Sequence, residues 1–144
     1  MPENDKNVNP QKLSKKKHSF SKQERVCNRD DFKKLLSEGE SFYCYPFRCA
    51  YLWRETTCFS ARIAISVSKK KFKHAVDRNR IKRLIRESYR LEKEVLYQEC
   101  INISQNVDIL IIYTETKIHS FNFTRKKIIE LINKIKENLP VNYN

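Results

Sequence analysis

The sequence predicts an α/β (α+β) two-layer sandwich, because strand-like and helix-like patterns alternate along its 144 residues. Residues 47–54 and 62–67 alternate their side chains with a period of two, which is typical of half-buried strands. Residues 108–113 are apolar on both parities, which indicates a central strand covered on both faces. Residues 78–90 and 122–139 repeat apolar side chains every three or four positions, as amphipathic helices do. A helix between two strands of one sheet indicates a split βαβ unit.

The first predicted element is a short helix that begins after Asn28, whose side chain can cap it. Asp31 then lies near the positive end of the helix dipole. The apolar side of this helix consists of Phe32, Leu35 and Leu36. Gly39 is the only glycine in the chain, and it falls where a left-handed C-terminal cap is expected.

Strand signals follow this helix. Aromatic residues precede Pro46, which predicts a short edge strand before the strand at residues 47–54. Residues 54–57 form the expected turn to the next strand. Apolar side chains continue past the second helix over residues 92–100, and Pro140 ends the last helix.

The length of the chain fits one domain with one modest core, which we place at residues 20–139. Residues 1–19 are polar and end in a run of lysines, so they are predicted to be a disordered basic tail. No apolar run approaches the roughly 20 residues of a membrane span, and the N-terminus lacks the apolar segment of a secretory signal. We therefore expect a cytoplasmic protein without a membrane partner.

Residues 66–90 carry the strongest charge in the sequence: ten basic and two acidic side chains, a net +8 of the formal +13. The cations are mostly arginines, whose planar fork suits phosphate. Carboxylates that could pair with them along the helix are almost absent. A solvated basic face is the simpler alternative, but the repulsion between so many like charges favours an anionic partner, and we expect nucleic acid.

The sequence offers no nuclease site. Phosphodiester cleavage usually needs clustered carboxylates that hold metal ions, or paired histidines. The carboxylates of Asp30, Asp31 and Asp77 are explained by helix starts, and His74 is expected to be exposed. Five cysteines without a Cys-x-x-Cys pair indicate free thiols rather than a zinc site. We therefore expect no catalytic residue and no metal bound by the protein.

A motif in the basic stretch resembles that of a known family. It runs Ser-Val-Ser-Lys-Lys over residues 66–70, then Ala-Val over residues 75–76, then Arg-Asn-Arg-Ile-Lys-Arg-Leu-Ile-Arg-Glu over residues 78–87. This pattern is similar to the signature of the bacterial ribonuclease P protein component. Residues 71–74 depart from it, because relatives often have a shorter linker with a glycine there. The resemblance extends over about residues 20–139.

The resemblance implies both a fold and a function. The fold is of order αβββαβα with a left-handed crossover around the basic helix, where patterning alone favours a right-handed one. The function is that of the protein subunit of ribonuclease P, which promotes 5′ maturation of transfer RNA. In that family the RNA subunit is the catalyst and uses Mg²⁺, and the protein alone does not cleave. The implied partners are the ribonuclease P RNA and precursor transfer RNA, not DNA.

The same resemblance implies two groups of site residues. Those expected to bind RNA are Lys69, Lys70, Arg78, Asn79, Arg80, Lys82, Arg83, Arg86 and Arg90. Those expected to bind the 5′ leader, in a cleft between the first helix and the sheet, are Phe32, Leu36, Phe47 and Tyr51. Leu36 stands where relatives often have an aromatic residue.

Three alternatives stay open at this point. A ribosome-associated or other structured-RNA binding module would share the charge and the fold type. A DNA-binding helix is disfavoured, because no helix-turn-helix or similar motif places it in a groove. For Phe47 and Tyr51, a place in the sheet core is as good an interpretation as leader binding, since alternation alone does not identify the open face of their strand.

Overall fold

The computed structural model describes residues 24–26, 28–55 and 61–140. The predicted tail at residues 1–19 lies outside this part, as do Cys27, Cys58 and half of the predicted turn at residues 54–57. The described elements are α1 (Arg29–Glu38), β1 (Glu40–Cys44), β2 (Phe47–Arg54), β3 (Ala61–Val67), α2 (Ala75–Glu92), α3 (Glu94–Ile103), β4 (Asn106–Tyr113) and α4 (Phe121–Glu137). The predicted fold class is confirmed.

The four strands form one sheet in the order β1-β2-β4-β3. β2 pairs antiparallel with β1 and β4, whereas β3 pairs parallel with β4. The parallel pair requires a crossover connection, and α2 and α3 supply it. β4 is buried at every position except the half-buried Ile112, so its prediction as a central strand is confirmed. The left-handed sense of the crossover stays a prediction.

One face of the sheet packs against the helices, and we call it the covered face. On β2 it carries Phe47, Cys49 and Tyr51, all buried. On β4 it carries Val107, Ile109, Ile111 and Tyr113, which are also buried. α2 and α4 contribute Ile81, Ile85, Tyr89, Ile128, Leu131, Ile132 and Ile135 to the same core. The apolar stripes predicted for these two helices therefore meet the predicted strand pattern in one hydrophobic core.

α1 packs on β2 and β4 from the opposite side, which we call the α1 face. Leu35 of α1 and Leu110 of β4 are almost fully buried. Asn28 Oδ1 accepts a hydrogen bond from the backbone of Asp30 at 2.8 Å, which confirms the predicted N-terminal cap. Asp31 forms salt bridges of 3.2 Å with both Arg54 and Arg62 of the sheet. α1 is therefore attached to the sheet by an apolar contact and by charge.

The cap predicted at Gly39 is right in position but wrong in conformation. Its φ of −71° and ψ of 155° are extended, not left-handed, because β1 begins at the next residue and the chain leaves the helix as a strand. Glycine is required for a different reason. A Cβ at this position would lie 2.4 Å from the Leu35 carbonyl oxygen and 2.9 Å from that of Tyr51. The close approach of two backbone segments excludes a side chain here.

The helix predicted from Arg78 to residue 100 is two helices in the structure. α2 begins one turn earlier, at Ala75, and ends at Glu92. Lys93 stands at the junction with α3 and is almost fully buried, with its ammonium 2.7 Å from the Glu24 carboxylate. This buried pair ties the segment before α1 to the α2–α3 junction. None of the helices in the described residues is long and apolar enough to cross a membrane.

Candidate nucleic-acid interface

The exposed side of α2 carries the predicted cationic band. Ile81, Ile85 and Tyr89 are buried, which turns the arginines between them outward. Asn79, Arg80 and Arg83 are exposed, while Lys82 and Arg86 are half-buried. Among the described carboxylates, none forms a salt bridge with Arg80 or Arg83. These two guanidinium groups are therefore available to an external anion.

Two predicted RNA-binding arginines make contacts within the protein. The Arg78 guanidinium donates hydrogen bonds to the carbonyl oxygens of Phe72 at 2.8 Å and Lys73 at 3.0 Å. Arg90 forms a salt bridge with Glu87 one turn away, and this hydrogen bonding lowers the pKa of Glu87. Arg78 therefore fixes the loop before α2, and part of the charge of Arg90 is already balanced.

Lys69 and Lys70 lie in a tight turn between β3 and α2. The Phe72 backbone N–H donates to the Ser68 carbonyl oxygen at 3.1 Å, and the Lys70 N–H donates to Ser68 Oγ at 3.1 Å. Both lysine side chains are exposed. Because Arg78 also binds this loop, the turn is held against the start of α2. Its two lysines extend the cationic surface beyond the helix.

A shallow concavity of about 350 Å³ lies along α2 itself. Its lining consists of Asn79, Arg83, Arg86, Glu87 and Arg90. Three of the five side chains are guanidinium groups and one is an amide. All four donate hydrogen bonds in the planar geometry that suits phosphate oxygens.

A second concavity, of about 300 Å³, joins the two predicted groups of site residues. Phe32 of α1 and Arg86 of α2 both line it, together with Arg25 and the β3 segment at residues 63–65. Burial lowers the pKa of Arg86, and the nearby charge of Arg25 lowers it further. An anion bound here would offset the repulsion between these two cations.

Phe47 and Tyr51 do not line the cleft between α1 and the sheet. Phe47 has no exposed surface and Tyr51 is 4% exposed, because both point to the covered face beneath α2 and α4. The prediction that they bind the leader is thus wrong for this structure, and the core interpretation holds. Phe32 is half-buried and Leu36 is 57% exposed, so these two remain candidates.

The α1 face has an open end that sequence reasoning missed. Salt bridges join α1 to the sheet near Arg54, whereas Tyr43, Arg48 and Ser66 at the opposite end are exposed. The side chains of this open end are Tyr43, Arg48, Ser66 and Ile112. Once the large apolar residues of β2 are assigned to the covered face, the period of two places Arg48 on the α1 face. This alternation is the sequence signal that could have identified the open end.

The described residues contain no group of three or more His, Cys, Asp or Glu side chains placed to hold a metal ion. Two carboxylates come together at the α1-covered end, where Asp31 and Asp108 both form salt bridges with Arg62. Burial raises the pKa of Asp108, against the opposing effect of Arg62. These carboxylates are occupied by guanidinium groups, so the donor set does not fit Mg²⁺.

Three cysteines fall within the described residues, and all are free and buried. Cys44 and Cys49 lie on the covered face, and Cys100 lies on α3. Burial raises the pKa of Cys100 to about 12. They are core side chains, as the sequence predicts.

A cationic helix beside a partly open sheet defines a small α+β protein with a surface for polyanions. The chain belongs to the ribonuclease P protein family, since the family model "Ribonuclease P" matches residues 20–136. The ribonuclease P protein component of Porphyromonas gingivalis is 45% identical over 78 residues, which are 54% of this chain and 57% of that protein. That of Desulforapulum autotrophicum is 42% identical over 95 residues, 66% of this chain and 73% of that protein.

Solved structures extend the likeness over more of the chain. The RNase P protein from Thermotoga maritima has a TM-score of 0.61 at 28% identity, and the match covers 77% of this chain and 96% of that one. The RNase P protein of Staphylococcus aureus has a TM-score of 0.57 at 26% identity, and the match covers 79% of this chain and 95% of that one. The identification made from the motif at residues 66–87 is confirmed.

Proposed function

We propose that this chain is the protein subunit of ribonuclease P, the ribonucleoprotein that removes the 5′ leader of precursor transfer RNA. The observation that carries the proposal is the family match together with the position of its motif on the exposed side of α2. The protein binds the catalytic RNA through this helix and the leader through the α1 face. It acts in the cytoplasm, where transfer RNA matures.

Binding of the catalytic RNA is assigned to the cationic surface of α2 and the turn before it. Arg80 and Arg83 contact phosphates directly, because no described carboxylate competes for them. Lys69 and Lys70 add charge at the start of the helix. Arg78 acts by holding the loop through the carbonyl oxygens of Phe72 and Lys73. Much of the affinity then comes from released counterions and depends on salt.

Binding of the leader is assigned to Phe32 and Leu36 on α1 and to the concavity shared with Arg86. A half-buried phenyl ring beside two guanidinium groups suits single-stranded RNA, since a base stacks on the ring while a phosphate meets the cations. Arg25 and Arg86 line that concavity with Phe32. This concavity brings a leader bound to α1 close to the RNA bound to α2.

The protein contributes no chemical group to cleavage in this proposal. Asp31 and Asp108, the two carboxylates that meet on the α1 face, are both paired with arginines, and this proposal assigns the Mg²⁺ to the RNA. What the protein supplies is positive charge, which lowers the electrostatic cost of bringing two polyanions together. Its benefit is therefore greatest at low Mg²⁺ and low monovalent salt, and it shrinks as either rises.

Reconstitution tests the proposal directly. Purified protein is added to a bacterial ribonuclease P RNA and precursor transfer RNA at low Mg²⁺, and 5′ cleavage is measured in single turnovers. Restored cleavage, with none by the protein alone, is the expected result. Absence of any stimulation, together with copurification of the protein with ribosomal subunits, would instead favour a ribosome-associated RNA-binding module.

A further inference from the structure

The open end of the α1 face contains a row of side chains from all four strands. In the strand register Tyr43 pairs with Arg48, Arg48 pairs with Ile112, and Ile112 pairs with Ser66. Residues paired in this way project from the same face of a sheet. Arg48 and Ser66 are exposed, and Ile112 is half-buried. The row is thus an accessible strip that crosses the whole sheet.

Tyr43 provides a flat aromatic surface on this strip. Its ring is 51% exposed, and its hydroxyl lies 3.5 Å from Thr114 Oγ1. Thr114 directly follows β4, whereas Tyr43 belongs to β1, and β2 lies between these strands. Thr114 also donates to the Pro46 carbonyl oxygen, just before β2, so the phenol ring lies along the sheet toward the β1–β2 turn. Half of the residue stays exposed there, and an exposed ring along a sheet surface can stack on a base.

Arg48 supplies a cation beside this ring. Three arginines lie on the α1 face of the sheet, and two of them are balanced: Arg54 and Arg62 both form salt bridges with Asp31 and Asp108. Arg48 is exposed and forms no salt bridge with a carboxylate in the described part of the chain. Its guanidinium is available to a phosphate, the anion that it suits best.

We propose that Tyr43 and Arg48 form a second nucleotide-binding position for single-stranded RNA, separate from the one at Phe32. One base stacks on the Tyr43 ring, and an adjacent phosphate contacts Arg48. Ile112 and Ser66 continue the row from Arg48 to β3, the strand beside Phe32. This inference rests on the proposed function, because the strand that it binds is the leader of precursor transfer RNA.

The test compares variants in the holoenzyme reconstituted from the full chain and ribonuclease P RNA. Precursor transfer RNAs carry unstructured leaders lengthened one nucleotide at a time, and their affinities are measured for wild type, Tyr43→Ala, Tyr43→Phe and Phe32→Ala. Loss of stacking on one base is expected to weaken binding about five- to 150-fold for Tyr43→Ala. Tyr43→Phe retains the ring and most of the affinity.

Leader length distinguishes the two positions. Tyr43 lies on β1, whereas Phe32 lines the concavity with residues 63–65 of β3, at the opposite edge of the sheet. The losses caused by Tyr43→Ala and Phe32→Ala should therefore begin at different leader lengths. Arg48→Ala should share the threshold of Tyr43→Ala and should also reduce the dependence of affinity on salt. Lys126→Ala, which removes an exposed cation from α4, is the matched control. It should change neither the dependence of affinity on leader length nor its dependence on salt.

Each outcome bears on the inference. If the affinity of Tyr43→Ala rose with leader length as much as that of wild type, while Phe32→Ala showed the expected loss, the second position would be refuted and the proposed function would stand. Identical thresholds for the two variants, or an equal loss of affinity for mature transfer RNA, would also refute the second position. If wild type itself gained nothing from a leader, the proposed function and this inference would fail together. An unchanged urea unfolding midpoint verifies that the variants fold.

Discussion

Both ends of the α1 face carry arginines, but those at the α1-covered end form salt bridges and the one at the open end does not. At the α1-covered end, Arg54 and Arg62 meet Asp108, which is 1% exposed, and Asp31, which α1 brings to them. At the open end, Arg48 has a tyrosine beside it and no described carboxylate as a partner. Arg48 and Arg54 point the same way from the same strand. What makes one structural and the other available is the placement of two aspartates.

The same distinction divides the arginines of α2. Arg78 and Arg90 are engaged by backbone carbonyl oxygens and by Glu87, whereas Arg80 and Arg83 face outward without a described carboxylate partner. Counting cations along a helix therefore overstates the surface available to RNA. It also means that removing several arginines together mixes lost binding with lost structure.

The largest expected effect is on stability, at the α1-covered end. Asp108→Asn leaves Arg54 and Arg62 with only Asp31 to balance them, because Asp108 is the buried member of this cluster. Removing one partner of a buried ion pair costs about 3–5 kcal/mol, and because these arginines are partly exposed, we expect about 3 kcal/mol. The free energy of unfolding in urea measures it.

Arg48→Ala is the matched control for that measurement, because it removes an arginine from the same face. An exposed side chain without a salt bridge should change the free energy of unfolding by less than about 0.5 kcal/mol. Equal losses from Asp108→Asn and Arg48→Ala would refute the division of this face into a structural end and an available end.

The next effect concerns RNA binding by α2. The double variant Arg80→Ala, Arg83→Ala should weaken binding to ribonuclease P RNA by about 3 kcal/mol, since hydrogen bonds to charged groups contribute about 1.5–3 kcal/mol each. Each lost phosphate contact should also reduce the slope of log affinity against log salt by about 0.7–0.9. Filter binding at several salt concentrations measures both quantities.

Arg78→Ala separates the two roles of arginine on this helix. Because its guanidinium holds the loop at residues 72–73, this variant should lower the free energy of unfolding, and the double variant should not. If Arg78→Ala instead left stability unchanged and reduced the salt slope by a full phosphate contact, Arg78 would belong with Arg80 and Arg83.

A smaller effect is expected at the leader position of α1. Phe32→Ala removes the ring that lines the concavity with Arg25 and Arg86. Loss of a stacked base should cost roughly 1–3 kcal/mol in affinity for precursor transfer RNA. The affinity for mature transfer RNA, which has no leader, should not change. Equal losses for both substrates would point to damaged packing of α1.

Sequence patterns predicted the fold well wherever apolar periodicity decides it. β4, α2 and α4 were identified because their apolar side chains are the ones that pack together. Phe47 and Tyr51 were misassigned because alternation gives two faces of a strand without saying which one helices cover. The conformation of Gly39 was misjudged because glycine is needed there to avoid a clash with the backbone of Tyr51, a residue that is distant in sequence. Such contacts exist only after folding.

Which charged residues pair with each other also depends on tertiary contacts that the sequence does not show. Asp31 was explained by its place in the first turn of α1, and its salt bridges to Arg54 and Arg62 depend on how α1 lies on the sheet. Arg48 was one of thirty basic residues in the sequence with nothing to distinguish it. Its availability follows from the position of Asp108, which lies four residues before Ile112, the partner of Arg48 in the strand register, and not from any local motif.

The smallest expected effect is a gain of leader binding on α1. Leu36 is 57% exposed, one helical turn after Phe32. Leu36→Phe adds a second ring to the exposed surface of α1, and it should strengthen leader binding by up to about 1 kcal/mol. Leu36→Met is the matched control, because it keeps an apolar side chain of similar size without a ring. A gain with phenylalanine that grows with leader length, and none with methionine, would show that the leader passes Leu36. Equal affinities for wild type and both variants would mean that it leaves the α1 face before this turn.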